Sequence, residues 1–381
     1  MITWKKQDID NFGKGEDSMN VQLENEQITK LLNDWYQSML KQQLVKAKQL
    51  KEYIDHEINN VKENQNLLLY YSLLDLRYKA LTDWVSINEN SFDEMDNFTT
   101  PADDFLAYYY HFFKAFHSTL TSNYTEASEH YEKAKKLLIH IPDPIEHAEF
   151  NYRMGYFYYQ IYKQVLALDY IKLAKDEFLK HEGYEINVAL CDNFIGLCCI
   201  DLKHFELAEE SFNKALDTFQ KNNHKNSILM VRHNLAWLYS KQNLSKLAIR
   251  HVSEVTKNNP NHFKAFFVEA YEYYKINDHN YTDQLIQKGL KLSNDFNNQE
   301  FQHRFKILKA LNNKVPTLTL ETSISEGITY FKQEKLWECV KEYADILALK
   351  FYEENNHNKA SQYFYMSNTA QKNELEKGAL K

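Results

Sequence analysis

Glycine and proline are scarce in this chain, eight and five in 381 residues. Sheets and tight turns usually draw on both, so their scarcity points to helices. Cysteine is scarce as well. Cys191, Cys198, Cys199 and Cys339 form no C-x-x-C pair, which excludes the common zinc and redox signatures and leaves buried, reduced thiols as the expectation. No run of about 18 apolar residues occurs, so no membrane span is expected. The start, Met1 to Asp8, lacks the apolar stretch of a signal peptide, and a cytoplasmic location is the expectation. A basic excess is also missing. Forty-five Lys and Arg stand against 53 Asp and Glu, a net charge of −8, which speaks against a dedicated nucleic-acid binder. There is no G-x-x-x-x-G-K-[ST] or G-x-G-x-x-G loop. None of the 15 histidines forms an H-x-x-x-H pair with a third ligand at a workable spacing. Neither nucleotide nor metal is expected to bind through such motifs.

The chain is rich in Tyr (27) and Phe (23), and its 44% hydrophobic and 26% charged residues are those of a globular protein. Residues 1–23 are polar and read as a flexible leader. From there, helical spacing sets in. Ile28, Leu31, Leu32, Trp35, Met39 and Leu40 form one apolar stripe. A second helix is expected over about Val45–Val61 and a third over about Asn66–Val85. The third is apolar on more than one side, as befits the central member of a small bundle. Residues 24–85 are therefore expected to form a three-helix bundle. The acidic, Asn-rich stretch 86–101, closed by Pro101, reads as a linker or hinge with room for a short helix of its own.

Beyond Pro101 the chain repeats. A small residue is followed by an Ala twelve positions on, a large residue four beyond that and a small one three further. The copies are Ala115/Ala127/Tyr131/Ala134, Gly155/Ala167/Ile171/Ala174, Gly196/Ala208/Phe212/Ala215, Ala236/Ala248/Val252/Val255 and Ala348/Ala360/Phe364/Ser367, with a weaker Ala270/Thr282/Ile286/Gly289. This resembles the tetratricopeptide pattern, although the early copies recur every 40 or 41 residues rather than about 34. Such repeats bury a core only when stacked, and they coil around a concave face. The expected fold is all-α: a three-helix bundle followed, over 102–381, by a tetratricopeptide-like superhelical solenoid.

The amino-terminal stretch narrows this further. Leu32-Asn33-Asp34-Trp35-Tyr36, Glu63-Asn64-Gln65-Asn66 and Leu69-Tyr70-Tyr71-Ser72-Leu73-Leu74-Asp75-Leu76-Arg77 resemble the Rap family of response regulator aspartate phosphatases. So do Tyr109–Lys114, Ala148-Glu149-Phe150, Asp201-Leu202-Lys203 and Lys359–Phe364. The likeness runs over roughly residues 24–370. It implies a bundle and a repeat domain that together grip a response regulator. It also implies a catalytic glutamine, here Gln65, that orients water against the regulator's phosphoaspartate, with Glu63 and Asn64 contacting the regulator. The chain then supplies no nucleophile and no cofactor of its own, because the metal ion belongs to the regulator. A glutamine amide can donate to and accept from a water at once, and orienting water is a known task of glutamine in phosphoryl hydrolysis. The bland alternative for Gln65 is a polar residue at a helix start.

The resemblance implies a second partner, a short re-imported Phr-type peptide bound in the concave groove as an inhibitor. Counting each copy's small residue as position eight, Asp201 falls at thirteen and Asn234 at six, both on the inner helix of their repeat. The family likeness assigns these two to the peptide. The same count places Tyr152, Tyr156, Tyr159, Asn193 and Trp237 on the groove, with inter-helix packing as the plainer role for the tyrosines. Neither direct nucleic-acid contact nor membrane contact is expected. Two rival readings remain open at this stage. One is an anti-activator that sequesters a regulator's DNA-binding domain without chemistry. The other is a peptide-responsive transcription factor, which the missing helix-turn-helix in 24–85 makes the weakest of the three.

Overall fold

A computed structural model describes residues 26–58, 64–83, 87–98, 101 and 103–377. All regular structure among these residues is helical. The backbone forms two compact units, Met1–Gln160 with Leu166–Cys191, and Ile161–Val165 with Asp192–Lys381. The expected leader lies outside the described residues.

In the first unit, α1 (Glu26–Leu40), α2 (Leu44–Glu57) and α3 (Gln65–Thr82) form the bundle. The stripe Ile28, Leu31, Leu32, Trp35, Met39 and Leu40 is buried throughout. Each such side chain contributes roughly 1.5–3 kcal/mol by leaving water. Trp35 packs its ring 6.0 Å from Tyr71 and 5.8 Å from Tyr78 of α3. Lys51 of α2 covers Trp35 and reaches Asp55 (3.0 Å) and Asp75 (2.8 Å). Burial pulls the Lys51 pKa down, but hydrogen bonds to Asp75 and Asp55 outweigh it and raise the pKa, so the ammonium stays charged between the helices.

Residues 87–98 lie inside the first unit and are packed. A 3-10 turn (Glu89–Phe92) runs into the short α4 (Asp93–Asp96). Phe92 and Met95 are buried, and Asp96 accepts from Lys114 Nζ (2.5 Å) and Tyr110 Oη (2.9 Å) of the next helix. That helix, α5 (Asp104–Leu120), starts where the Asp103 side chain accepts from the amides of Phe105 and Leu106. The first repeat pair is α5 with α6 (Tyr124–Leu137). Then come α7 (Pro144–Gln160), with proline at its first position, α8 (Gln164–Phe178) and α9 (Glu185–Asp201).

The second unit continues with α10 (Phe205–Lys221), α11 (Lys225–Lys241), α12 (Ser245–Asn258), α13 (Phe263–Lys275), α14 (His279–Asp295), α15 (Gln299–Asn312), α16 (Thr317–Gln333), α17 (Trp337–Glu353) and α18 (His357–Lys377). The small positions of the repeat are small because a large side chain fills the space above them. A Cβ on Gly196 would meet the Phe212 ring at 2.6 Å, and one on Gly289 would meet Phe305 at 2.0 Å. The last copy departs from expectation. Ala348, Ala360 and Ser367 are buried, but Phe364 is 42% exposed, and no further helix pair stacks on α18 among the described residues. Its neighbour Tyr363 turns inward instead, stacking on Phe351 and donating to Glu321.

The scarcity of glycine has a structural counterpart at the turns. Most turns between helices place one residue in the left-handed region, and nearly all of these are not glycine. Examples are Lys203 (φ 61°), Asn223 (φ 54°), Asn243 (φ 59°) and Lys335 (φ 55°). Asparagine tolerates this conformation better than most residues, whereas lysine does so against its steric preference.

Candidate functional site

Gln65 is the first residue of α3 and is exposed to solvent. Its position is set by Asn64, which is extended (φ −89°, ψ 94°) and whose side-chain oxygen accepts from the Leu67 amide at 3.0 Å. An asparagine in this role satisfies one of the amides that a helix start leaves without a partner. The Asn64 oxygen is thus committed to the helix start, while the Gln65 amide stands at the rim of the bundle. Glu63 lies outside the described residues. Gln65 can neither attack nor titrate, so the chemistry open to it is to hold and aim a water or a polar group of a docked partner.

Behind this rim the first unit contains a buried charged network that sequence periodicity did not single out. Arg77 of α3 bonds Glu149 of α7 at 2.8 Å, with both side chains almost fully buried. Arg153 bonds the same carboxylate oxygen at 2.8 Å. The Phe116 ring lies under both guanidinium groups, 5.8 Å from Arg77 and 4.5 Å from Arg153. Burial alone raises the Glu149 pKa, but Arg153 and Arg77 reverse this and hold it below the usual carboxylate range. One turn earlier, Glu146 accepts from Tyr36 of α1 at 3.1 Å among Tyr70, Tyr108 and Tyr109. Burial, and then Asp143, push its pKa well above the ordinary value, which favours the protonated carboxyl. Further along the unit, the Leu40 carbonyl accepts from Asn187 Nδ2 at 3.0 Å.

The residues expected to line a groove fall in both units. Tyr152, Tyr156 and Tyr159 lie half-buried on α7 in the first unit. The Arg153 guanidinium sits 5.3 Å from the Tyr152 ring, which ties that tyrosine to the buried network. Asn193, Asp201, Asn234 and Trp237 belong to the second unit. Asn193 is buried and accepts from Asn234 Nδ2 at 2.8 Å, a side-chain bridge between α9 and α11. Asp201, exposed at the end of α9, accepts from Gln164 Nε2 at 3.5 Å. Trp237, half-buried one turn beyond Asn234, lies under the Lys241 ammonium at 4.5 Å. All four cysteines are buried thiols. Burial pushes the Cys339 thiol up to about 12, and Cys198 higher still, so neither is a ready nucleophile.

Comparison with known proteins places these features. Residues 22–83 match the amino-terminal region of response regulator aspartate phosphatase H. Response regulator aspartate phosphatase I of Bacillus subtilis (strain 168) is 26% identical over 365 residues, spanning 93% of this chain and 92% of that one. Over most of its length this chain is similar to proteins of the Rap family. A second Rap relative, response regulator aspartate phosphatase A of the same organism, is 23% identical over 366 residues, spanning 91% and 94%. The apo form of RapI has a similar structure, with a TM-score of 0.66 at 25% identity over 93% of this chain and 100% of that one. A Rap protein complexed with competence and sporulation factor gives 0.78 at 20% identity over 92% and 99%, a likeness of fold. No helix among the described residues is long and apolar enough to cross a membrane.

Proposed function

We propose that this chain acts as a Rap-type protein: it binds a bacterial response regulator in the cytoplasm and hydrolyses its phosphoaspartate, and a short peptide in the repeat groove inhibits it. The observation that supports the chemical half is Gln65. It is a solvent-exposed amide at the first position of α3, with the residue before it capping that helix. Gln65 orients the attacking water, Glu63 and Asn64 flank it on the regulator side, and the regulator brings the metal ion. The chain itself contributes no nucleophile. The peptide half rests on Asn193, Asp201, Asn234 and Trp237, with Tyr152, Tyr156 and Tyr159 as further contacts. A peptide inhibits only to the extent that it binds the regulator-incompetent state more tightly than the competent one. Residues 86–101 are proposed as the joint between the bundle and the repeats.

The test is phosphate release from purified phosphorylated response regulators. With Gln65→Ala the expected result is retained regulator binding and loss of release by about a hundredfold or more, the scale of removing one oriented polar group at a reacting centre. Release at the wild-type rate removes Gln65 from the chemistry. Loss of regulator–DNA binding with the phosphate intact would establish the sequestering function instead.

A further inference from the structure

Asp201 and Lys241 occupy the same place in successive copies of the repeat, each five residues after its copy's small residue, Gly196 and Ala236. They end α9 and α11, respectively. On α11, Asn234, Trp237 and Lys241 follow at intervals of three and four and so share one face. Lys241 finds its carboxylate partner outside its own repeat. Its ammonium bonds Glu338 of α17, 97 residues away. The helices α11, α13 and α15 contact one another in succession. Lys241 at the end of α11 nevertheless meets the start of α17, three helix pairs further along the chain. Burial, and then Glu342 one turn further along α17, push up the pKa of the Tyr271 hydroxyl of α13. The end of α11 thus carries an exposed cation, Lys241, held over the Trp237 ring and met by a carboxylate of α17.

That carboxylate is easily exchanged. The side chains of Lys241 and Glu338 are 32% and 60% exposed, and an ion pair so open to water contributes little to stability. We propose that Lys241 anchors the free C-terminal carboxylate of the peptide bound in the groove, and that Glu338 fills this place until the peptide displaces it. The proposal rests on the peptide-receptor reading above and adds the chemistry of the ligand's end. Asn234 and Lys241 lie seven residues apart on one helix, a rise of about 10 Å. An extended chain advances about 3.3 Å per residue. The ligand's terminal carboxylate accordingly lies about three residues beyond the residue held at Asn234, which describes a short linear peptide with an unblocked end.

The experiment uses the full chain and two pentapeptide pools, randomised at every position and identical except that one has free and the other amidated C-termini. Retained peptide is quantified by mass spectrometry after equilibrium selection. Wild type is expected to retain the free-acid pool about tenfold better than the amide pool, the scale of one charge-assisted contact. Lys241→Ala is expected to erase that difference, and Glu338→Gln to raise free-acid retention several-fold. Equal retention of both pools by wild type, with loss of both in Asn234→Ala, keeps the groove and overturns the anchor. It equally overturns a terminal anchor if Lys241→Ala weakens both pools alike, because Lys241 then reads an acidic side chain. A free-acid preference that survives Lys241→Ala overturns it too. Failure of every variant and wild type to retain either pool removes the peptide-receptor reading, and the anchor with it.

Discussion

In the first unit the polar contacts of the interior join residues far apart in the chain. Arg77 meets Glu149 and Tyr36 meets Glu146, across 72 and 110 residues. In the second unit the buried carboxylates bond to neighbouring elements. Glu269 accepts from Thr256, and Glu272 accepts from Ser240 and Lys275. The long pair of that unit, Lys241 with Glu338, is exposed rather than buried. The contrast separates two ways of making a helical protein. Stacked repeats are stabilised mainly by contacts between neighbours, so damage stays local. A core held by a few buried, long-range, charged contacts accepts one arrangement and resists substitution at any of them.

The harshest test of that difference is Arg77→Ala. It leaves Phe116 without one of its two cations and Glu149 with only Arg153, and it is expected to cost about 3–5 kcal/mol. Chemical denaturation with a probe in the first unit measures this, and a loss below about 1 kcal/mol would remove the network from the stability of the unit. Gly289→Ala is the matching insult to the second unit. The added methyl meets Phe305 in a closed core, for an expected cost of about 1–3 kcal/mol. Hydrogen exchange is expected to show the loss confined to α14, α15 and their neighbours. Loosening spread over the whole unit would mean that the repeats do not behave as a nearest-neighbour stack.

Glu146→Gln gives the smallest effect and the finest distinction. The native pKa of Glu146 is raised, so the fold holds its proton more tightly than the unfolded chain does. Its contribution is therefore complete below the ordinary carboxyl pKa and is lost as pH rises through the native value. Glutamine keeps an acceptor for Tyr36 and cannot ionise. The variant is expected to match wild type near pH 4 and to exceed it by about 1 kcal/mol at alkaline pH. Parallel stability curves for the two proteins across this range would show that Glu146 does not titrate with folding.

The helices and their packing were legible because they repeat locally. The stripe from Ile28 to Leu40 and the small-to-large alternation at Gly196 and Phe212 are patterns that a single window of sequence contains. The exposed helix start at Gln65 was legible as well, since a polar quartet opens an apolar run. The buried network was not. Arg77 and Glu149 appeared only as parts of a family likeness, because nothing in either neighbourhood announces a partner 72 residues away. Phe364 misled for the opposite reason. It fits the local pattern, but burial at that position also needs a helix stacked outside it. Asn234 was expected to use its amide on a ligand, and the donor it gives to Asn193 depends on how two successive inner helices are spaced.

The left-handed residues at the turns are also a practical reserve. A lysine such as Lys203 or Lys335 sits there at a steric cost of about 1 kcal/mol, and glycine would not incur it. Because these joints lie between helices, thermal tolerance can be engineered one loop at a time while Gln65, Asn234 and Lys241 keep their native side chains.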